Sequence, residues 1–570
     1  MLKLKKIKMG ELEMKCKSII IFVVIATMLT TSGCGNSKKS QGTSSNASKS
    51  PVSTTWFSDV PFWNPPTTWS TDPSTVQGAI TQKTGLKFTM NIPAQDADAK
   101  LSLLMVSGVL PDVITISDPV AIQKLEKSKK VWKLDDLLKK YDPKSHILTD
   151  FPADIKTALV NRDGAWYAWP SHIISKDSAK EYPVSDPYYS NVNNLGNNYG
   201  IMFNSKIMSQ AGITLNDLKT EDGVLAAFKK VNSMNLKVNG TSVIPMLLDG
   251  LTYQNSSFLT LENFFGAMPV DASGNYRDLF MDPITKHSLS FLNTCINNNY
   301  VDPNQLTMDN DAVKSVIASG RVFSFIGNTA DTFFDANIGH QDGWVSPGPV
   351  LSNKGTKPVL SVAQQAGTGW MQTFVSTSAK NPEKIAKWIS YMSSVEGLKL
   401  TWYGFKGKDY TIDSKGLLIQ TTAGLQNTKD YSKTGTGAYW PFANISFTDH
   451  VIPAPTKENA PGLLESTTVI TALGLSKDTV VYDSSLLTLP NNYIDSNSDI
   501  GLIQTEIKNY KLAQIAKVVM AKNDSSFNSL YNDMIKKLKD LGQDKVDSKI
   551  NDQVQKNYKT YNSTLKAVNP

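Results

Sequence analysis

The sequence predicts an α/β architecture built in more than one lobe, and two observations carry that reading. Between Val52 and Ile116 strand-like apolar runs alternate with helical patterns in the order strand, helix, strand, helix, strand, which is how a parallel sheet covered by helices is laid out. The chain also has 570 residues, too many for one compact core. Its 40% hydrophobic content and 11 Trp are those of a globular chain, not a disordered one.

The first segment lies outside that architecture. Lys3, Lys5, Lys6, Lys8, Lys15 and Lys17 precede an apolar run from Ile19 to Leu29, followed by Thr31-Ser32-Gly33-Cys34. The run is about half the roughly 20 residues a spanning helix needs, so it reads as an export signal over residues 1–33. The Ser-Gly-Cys sequence resembles a bacterial lipobox, in which Cys34 receives lipid and becomes the new N-terminus. Residues 34–51 are rich in Ser, Gly, Asn and Lys without apolar periodicity, a flexible tether.

Val52 to Phe57 is the first expected strand. Asp72 is then placed to cap a helix that has Pro73 at its first position, Val76, Ala79 and Ile80 on one face and Gly85 as its stop. Leu86 to Ile92 forms the second strand. Asp96 to Ser107 follows as a helix with Leu101, Leu104 and Met105 inward, ended by Gly108, and Val113 to Ile116 forms the third strand. Ligands on such sheets bind beyond the carboxyl ends of the strands, which here are the loops after Phe57 and Ile116. Asn381-Pro382-Glu383 opens a later helix whose Ile385, Trp388, Ile389 and Met392 share one stripe. From about Ile500 two amphipathic helices are expected, one with Ile503, Ile507, Tyr510 and Val518, the other with Leu530, Met534, Leu538 and Leu541. No internal repeat is visible at solenoid periods.

Charge and cysteine usage narrow the function. A net four of the seven positive charges precede Cys34, leaving +3 after it, so nucleic acid is not expected as a partner. Only Arg162, Arg277 and Arg321 are arginines among 58 basic residues, and arginine forks are the usual clamp for carboxylates and phosphates, which disfavours a heavily anionic ligand. Beyond the lipid-bearing Cys34 the one cysteine is Cys295, so no intramolecular disulfide is available within the body; Phe291, Leu292 and Ile296 around it mark a buried small hydrophobe. No Gly-x-Ser-x-Gly, Gly-x-Gly-x-x-Gly, Walker or His-Glu-x-x-His pattern occurs, and His146, His172, His287, His340 and His450 have no ligand spacing. Nothing in the sequence pairs two carboxylates for glycosidase chemistry.

Several segments resemble one family, the carbohydrate-type extracellular solute-binding lipoproteins of ABC importers, in particular the larger LipO-like and YtcQ-like members. They are LSLLMVSGVLPDVITIS (101–117), DGAWYAWP (163–170), NNYVDPN (298–304) with IASGRVFSFIGN (317–328), and the long AKNPEKIAKWISYMSSVEGLKLTWYGFKGKDYTID (379–413). The resemblance implies a two-lobed α/β fold of the periplasmic-binding-protein type II kind, with a ligand cleft between lobes joined by a hinge the chain crosses more than once. It implies lobe 1 over residues 52–168 plus 320–370, and lobe 2 over 169–319 plus 371–570 including the C-terminal helices. It also implies a monomeric receptor with no enzymatic activity and no cofactor. Anchored through Cys34 on the extracellular face of a single-membrane bacterium, this receptor would capture a saccharide, an oligosaccharide in particular, and deliver it to membrane permeases. A polysaccharide-degrading surface enzyme and a peptide- or signal-sensing receptor of the same fold are the alternatives. Some relatives carry a calcium loop before an Ile-Pro pair; here that segment, NSMNLKVNGTSVIP (232–245), has no acidic residue, and no metal is expected.

Sugars pack their C–H faces on aromatic rings and pair their hydroxyls with polar side chains. Trp56, Trp132 and Trp388 fall on core stripes. Trp63 and Trp69 lie in a Pro-rich loop after the first strand, Trp166 and Trp169 flank Tyr167 in the loop leading to the expected hinge, and Trp370 and Trp440 follow glycine-rich turns; these six are candidate ligand contacts. Asp118, Asp249, Tyr253 and Asn328 are candidate hydroxyl partners.

Overall fold

The computed structural model describes residues 50–329, 343–364, 367–490 and 493–569. The export segment and Cys34 therefore lie outside the described residues. Ser50–Pro570 is one compact unit, and among the described residues its two largest sheets, of five and four strands, have separate cores, with three two-stranded ribbons beside them.

The first sheet begins as the alternation predicts. β1 (Val52–Ser58) pairs in parallel with β2 (Leu86–Asn91) and with β3 (Val113–Ile116). Helix α1 (Val76–Thr84) connects the first two and α2 (Ala97–Ser107) the next, with Gly85 and Gly108 ending them in the left-handed conformation that glycine adopts without penalty. Because helices cover both faces, successive residues face different cores. Trp56 and Val113 join one apolar cluster with Trp63, Phe88, Trp388, Tyr439 and Phe442. Phe57 and Ile114 join another with Ile116, Leu125 and Phe374, the pattern of a sheet buried on both sides.

Two local expectations change. Thr75, not Asp72, caps α1: its Oγ1 accepts the Gly78 N–H, while Asp72 forms the preceding turn by accepting the Ser74 N–H at 2.9 Å. A Cβ at Gly78 would lie 1.8 Å from the Asp72 carbonyl oxygen, so the turn folds over the helix only because residue 78 is glycine. The C-terminal region forms three helices, Asp499–Val519, Asp524–Leu541 and Gln543–Tyr561. The polar third helix buries only a narrow stripe that includes Val546, Ile550 and Val554.

The assignment of later segments to lobes is corrected by the ladders. Gln372–Val375 pairs antiparallel with β3 and with β4 (Trp169–Pro170), completing the first sheet. Ser324–Asn328, expected with the first sheet, instead pairs antiparallel with β5 (Tyr199–Asn204). Leu247–Leu248 and Trp344–Val345 complete that second sheet. Likewise the helix Pro382–Ser393 places Trp388 against Trp56 in the first core. Strands of two to five residues carry no periodicity that names a partner, which is why the two return segments were expected on the wrong sheets.

The second sheet's core holds Phe203, Phe228, Phe264, Phe265 and Phe323 together with Ile507, Met534, Leu538 and Val554 of the C-terminal helices. Among the described residues the chain passes between the two sheets three times: from β4 to β5, from Trp344–Val345 to Gln372–Val375, and from the helix Ile445–Val451 to the helix Pro461–Thr471, whose Val469 packs with Met202 of the second sheet.

Candidate functional site

The site is built at the carboxyl ends of β1 and β3. The Asp59 carboxylate, one residue beyond β1, accepts the backbone N–H groups of Ser117 at 2.9 Å and Asp118 at 3.0 Å beyond β3, tying the two strand ends together. Burial raises the Asp59 carboxyl above its ordinary value, against the lowering effect of those N–H groups. The loop after Asp59 then turns on Trp63, which is fully buried, edge-on to Trp56, and donates its indole N–H to the Ala438 carbonyl at 2.7 Å. Anchoring Trp63 inward leaves its neighbour Phe62 outward, 52% exposed.

Two further rings meet Phe62 from distant parts of the chain. Trp370, 39% exposed, lies nearly parallel to it, with ring centroids 6.1 Å apart and planes 11° apart. Trp440 is half-buried 6.4 Å from Phe62, donates its N–H to the Gly437 carbonyl at 3.0 Å, and has the Tyr431 ring 5.9 Å away. Large exposed aromatic surface is costly to leave in water, so a cluster of such rings beyond strand ends is a surface prepared for apolar ligand faces.

The backbone fixes Trp370 tightly. Gly369 has φ +70°, and a Cβ there would stand 2.3 Å from the Ser171 carbonyl oxygen. The Ser171 N–H donates to the Met371 carbonyl at 3.0 Å, and the Met371 N–H donates to Ser171 Oγ at 3.0 Å. Arg162 forks onto Asp163 at 2.6 and 2.7 Å and donates a third N–H to Thr368 Oγ1 at 2.7 Å, bracing the loop before Gly369. The Trp370 indole N–H donates to His172 Nδ1 at 3.0 Å. Burial pushes the His172 imidazole down to about 4, so the ring is neutral around pH 7.

Of the residues singled out from sequence, the structure brings Trp370 and Trp440 together. Trp63, Trp166, Trp169 and Tyr253 are buried, a correction to their candidacy as ligand contacts. Trp166 stacks on Phe151 and donates to the Ala168 carbonyl at 2.8 Å, and Trp169 packs on Phe442; both extend the core beneath β4. Trp69 is half-buried against Phe88, its N–H on Thr81 Oγ1 at 2.8 Å. Asp118 caps the helix Pro119–Lys127, accepting the Ala121 N–H at 2.7 Å. Asp249, also buried, accepts the Asn328 N–H at 3.0 Å. Those two residues sit together just beyond and at the carboxyl ends of the paired parallel strands Leu247–Leu248 and Ser324–Asn328 of the second sheet. Phe62, His172 and Tyr431 were missed. A lone Phe in a Pro-rich loop carries no period, and His172 is distinguished only by its backbone, φ +52°.

Among the described residues no group of three or more His, Cys, Asp or Glu is arranged to hold a metal ion, and no helix is long and apolar enough to cross a membrane.

Residues 67–399 match the model of a family described as bacterial extracellular solute-binding protein. No curated protein sequence matches. Solved structures are similar in fold at low identity. An ABC-transporter substrate-binding protein of S. pneumoniae, FusA, in complex with kestose, is 16% identical, with a TM-score of 0.66 over 90% of this chain and 100% of that one. An HMO-binding, ABC-transporter-associated solute-binding protein of Bifidobacterium longum infantis is 14% identical, with a TM-score of 0.59 over 89% and 99%. The N-glycan transport solute-binding protein NgtS of S. pneumoniae is 17% identical, with a TM-score of 0.53 over 90% and 100%.

Proposed function

We propose, since this chain belongs to the bacterial extracellular solute-binding protein family, that it is the lipid-anchored receptor of an ABC importer and captures a neutral oligosaccharide. The observation that carries the saccharide reading is the ring cluster of exposed Phe62 and Trp370 with half-buried Trp440 beyond the ends of β1 and β3. Sugar rings offer apolar C–H faces that stack on such surfaces, while their hydroxyls need donors and acceptors nearby. Arg162 is committed to Asp163 and Thr368, so it does not serve as a free anion clamp, in keeping with an uncharged ligand. The fold neighbours named for kestose, HMO and N-glycan binding support the same substrate class.

In this reading the ligand settles on the ring cluster of the first lobe, and groups near Asn328 of the second lobe close over it. The closed state is favoured only by the ligand's higher affinity for it. The receptor performs no chemistry. Lipid on Cys34 and the tether that follows hold the body outside the membrane, where permeases accept the loaded form.

The test is a thermal-shift and tryptophan-fluorescence panel on the purified body from residue 52, with kestose, maltotriose, cellotriose and xylotriose among the sugars. Binding of at least one neutral oligosaccharide, without release of new reducing ends on long incubation, is expected. No response across the panel refutes the saccharide assignment, and product release refutes the receptor assignment.

A further inference from the structure

We infer that His172 is a specificity-determining residue of this site, presenting its Nε2–H as a fixed hydrogen-bond donor to an oxygen of the bound sugar. The inference rests on the saccharide reading above and adds to it a named donor.

The tautomer follows from one contact. The indole nitrogen of Trp370 carries a hydrogen and has no acceptor lone pair, so in its 3.0 Å contact with His172 Nδ1 the indole must donate. Nδ1 therefore carries the lone pair, and the single proton of the neutral imidazole sits on Nε2. Nε2 has no hydrogen-bond partner among the described residues. The same contact sets the angle of the exposed Trp370 ring, 5.7 Å away between centroids. One hydrogen bond thus orients the stacking surface and determines which ring nitrogen of the histidine can donate.

The backbone holds this arrangement in place at a cost. His172 has φ +52°, a left-handed conformation that non-glycine residues rarely adopt. It persists because the flanking residues are tied down. On one side Ser171 is bonded to Met371; on the other the Ile173 N–H donates to the Ala443 carbonyl at 3.0 Å and the Ile445 N–H to the Ile173 carbonyl at 2.9 Å. These bonds join β4, the Trp370 loop and the Trp440 region at one residue. A packing role needs neither the left-handed conformation nor a nitrogen left for a partner; a positioned donor beside stacking rings uses both.

The test uses three forms of the purified protein. Asn tolerates the left-handed conformation and its Oδ1 can take the place of Nδ1 as acceptor for the indole, but it offers no donor where Nε2 stood; Ala removes both functions. Histidine-selective ¹⁵N spectra of the wild type, with the His172 signal assigned by its loss in H172N, are expected to show the Nε2–H tautomer. Its Nε2 resonance should shift on addition of whichever of kestose, maltotriose, cellotriose or xylotriose binds tightest. H172N should keep the tryptophan emission maximum and melting temperature of the wild type while binding that sugar about five- to tenfold more weakly, and H172A should bind it more weakly still.

An Nδ1–H tautomer, or wild-type affinity in H172N, overturns the inference while leaving the saccharide reading intact. An Nε2–H tautomer with no binding to any of the sugars overturns the saccharide reading instead, and with it the sugar as partner of this donor.

Discussion

Which rings are free to meet a ligand is decided residue by residue. Trp63 and Phe62 are adjacent, yet one is sealed against Trp56 and the other half open to water. Truncating an exposed ring costs little stability, so W370A should fold as the wild type does while weakening sugar binding about tenfold or more through lost stacking. Titration calorimetry beside a thermal melt separates the two effects, and equal affinity would remove Trp370 from the site. A second residue-scale consequence concerns Glu262, buried in the second core with Oε1 accepting from Thr285 Oγ1 at 2.8 Å, its carboxyl raised by burial to about 8. A raised carboxyl favours the folded state fully below its unfolded pKa of 4.5, and that contribution is lost as pH climbs through 8. E262Q cannot ionise, so its stability relative to wild type should improve from pH 5 to pH 8, by on the order of 1–3 kcal/mol. Melting both proteins at the two pH values checks this; a pH-independent difference would mean the carboxyl ionises freely in the fold. Trp370 and Trp440 were legible from sequence because glycines beside them advertised backbone placed for close approach. Phe62 and His172 were not, because their exposure and orientation are set by Trp63 and Ser171, whose contacts are 375 and 200 residues away.

At the scale of elements, the strands and helices between Val52 and Ile116 were readable because each carries a local period and a local stop. The two return strands were not, since Ser324–Asn328 and Gln372–Val375 are short buried runs that either sheet could accept. The loop leading into Gln372–Val375 does the most to form the site, and its glycines have different duties. Gly369 is pressed against Ser171 in a left-handed conformation, whereas nothing among the described residues stands within 4 Å of a Cβ at Gly367. G369A should therefore displace Trp370, lowering the melting temperature and weakening sugar binding at least as much as W370A does, while G367A leaves both unchanged. Parallel melts and calorimetry on the pair test this, and equal effects from the two substitutions would show that the loop's conformation does not depend on residue 369.

At the scale of the molecule, two sheets whose described residues are joined by three crossings of the chain make relative motion of the lobes the expected response to a ligand shared between them. The first lobe offers stacking rings, and the second sheet ends at Asn328 and the buried Asp249. A sugar bound only by the rings would stabilise the protein without changing its shape, because a ligand shifts a conformational equilibrium only by its difference in affinity for the two states. A sugar that also reaches the second lobe must compact the molecule. Small-angle scattering of the purified body should therefore show a smaller radius of gyration at saturating sugar than without it. W370A should need about tenfold more sugar for the same compaction and reach the same end point, since the ring contributes affinity and the hinge segments are untouched. Unchanged scattering at saturation, with binding confirmed by calorimetry, would confine the ligand to one lobe and remove lobe closure from the proposed function.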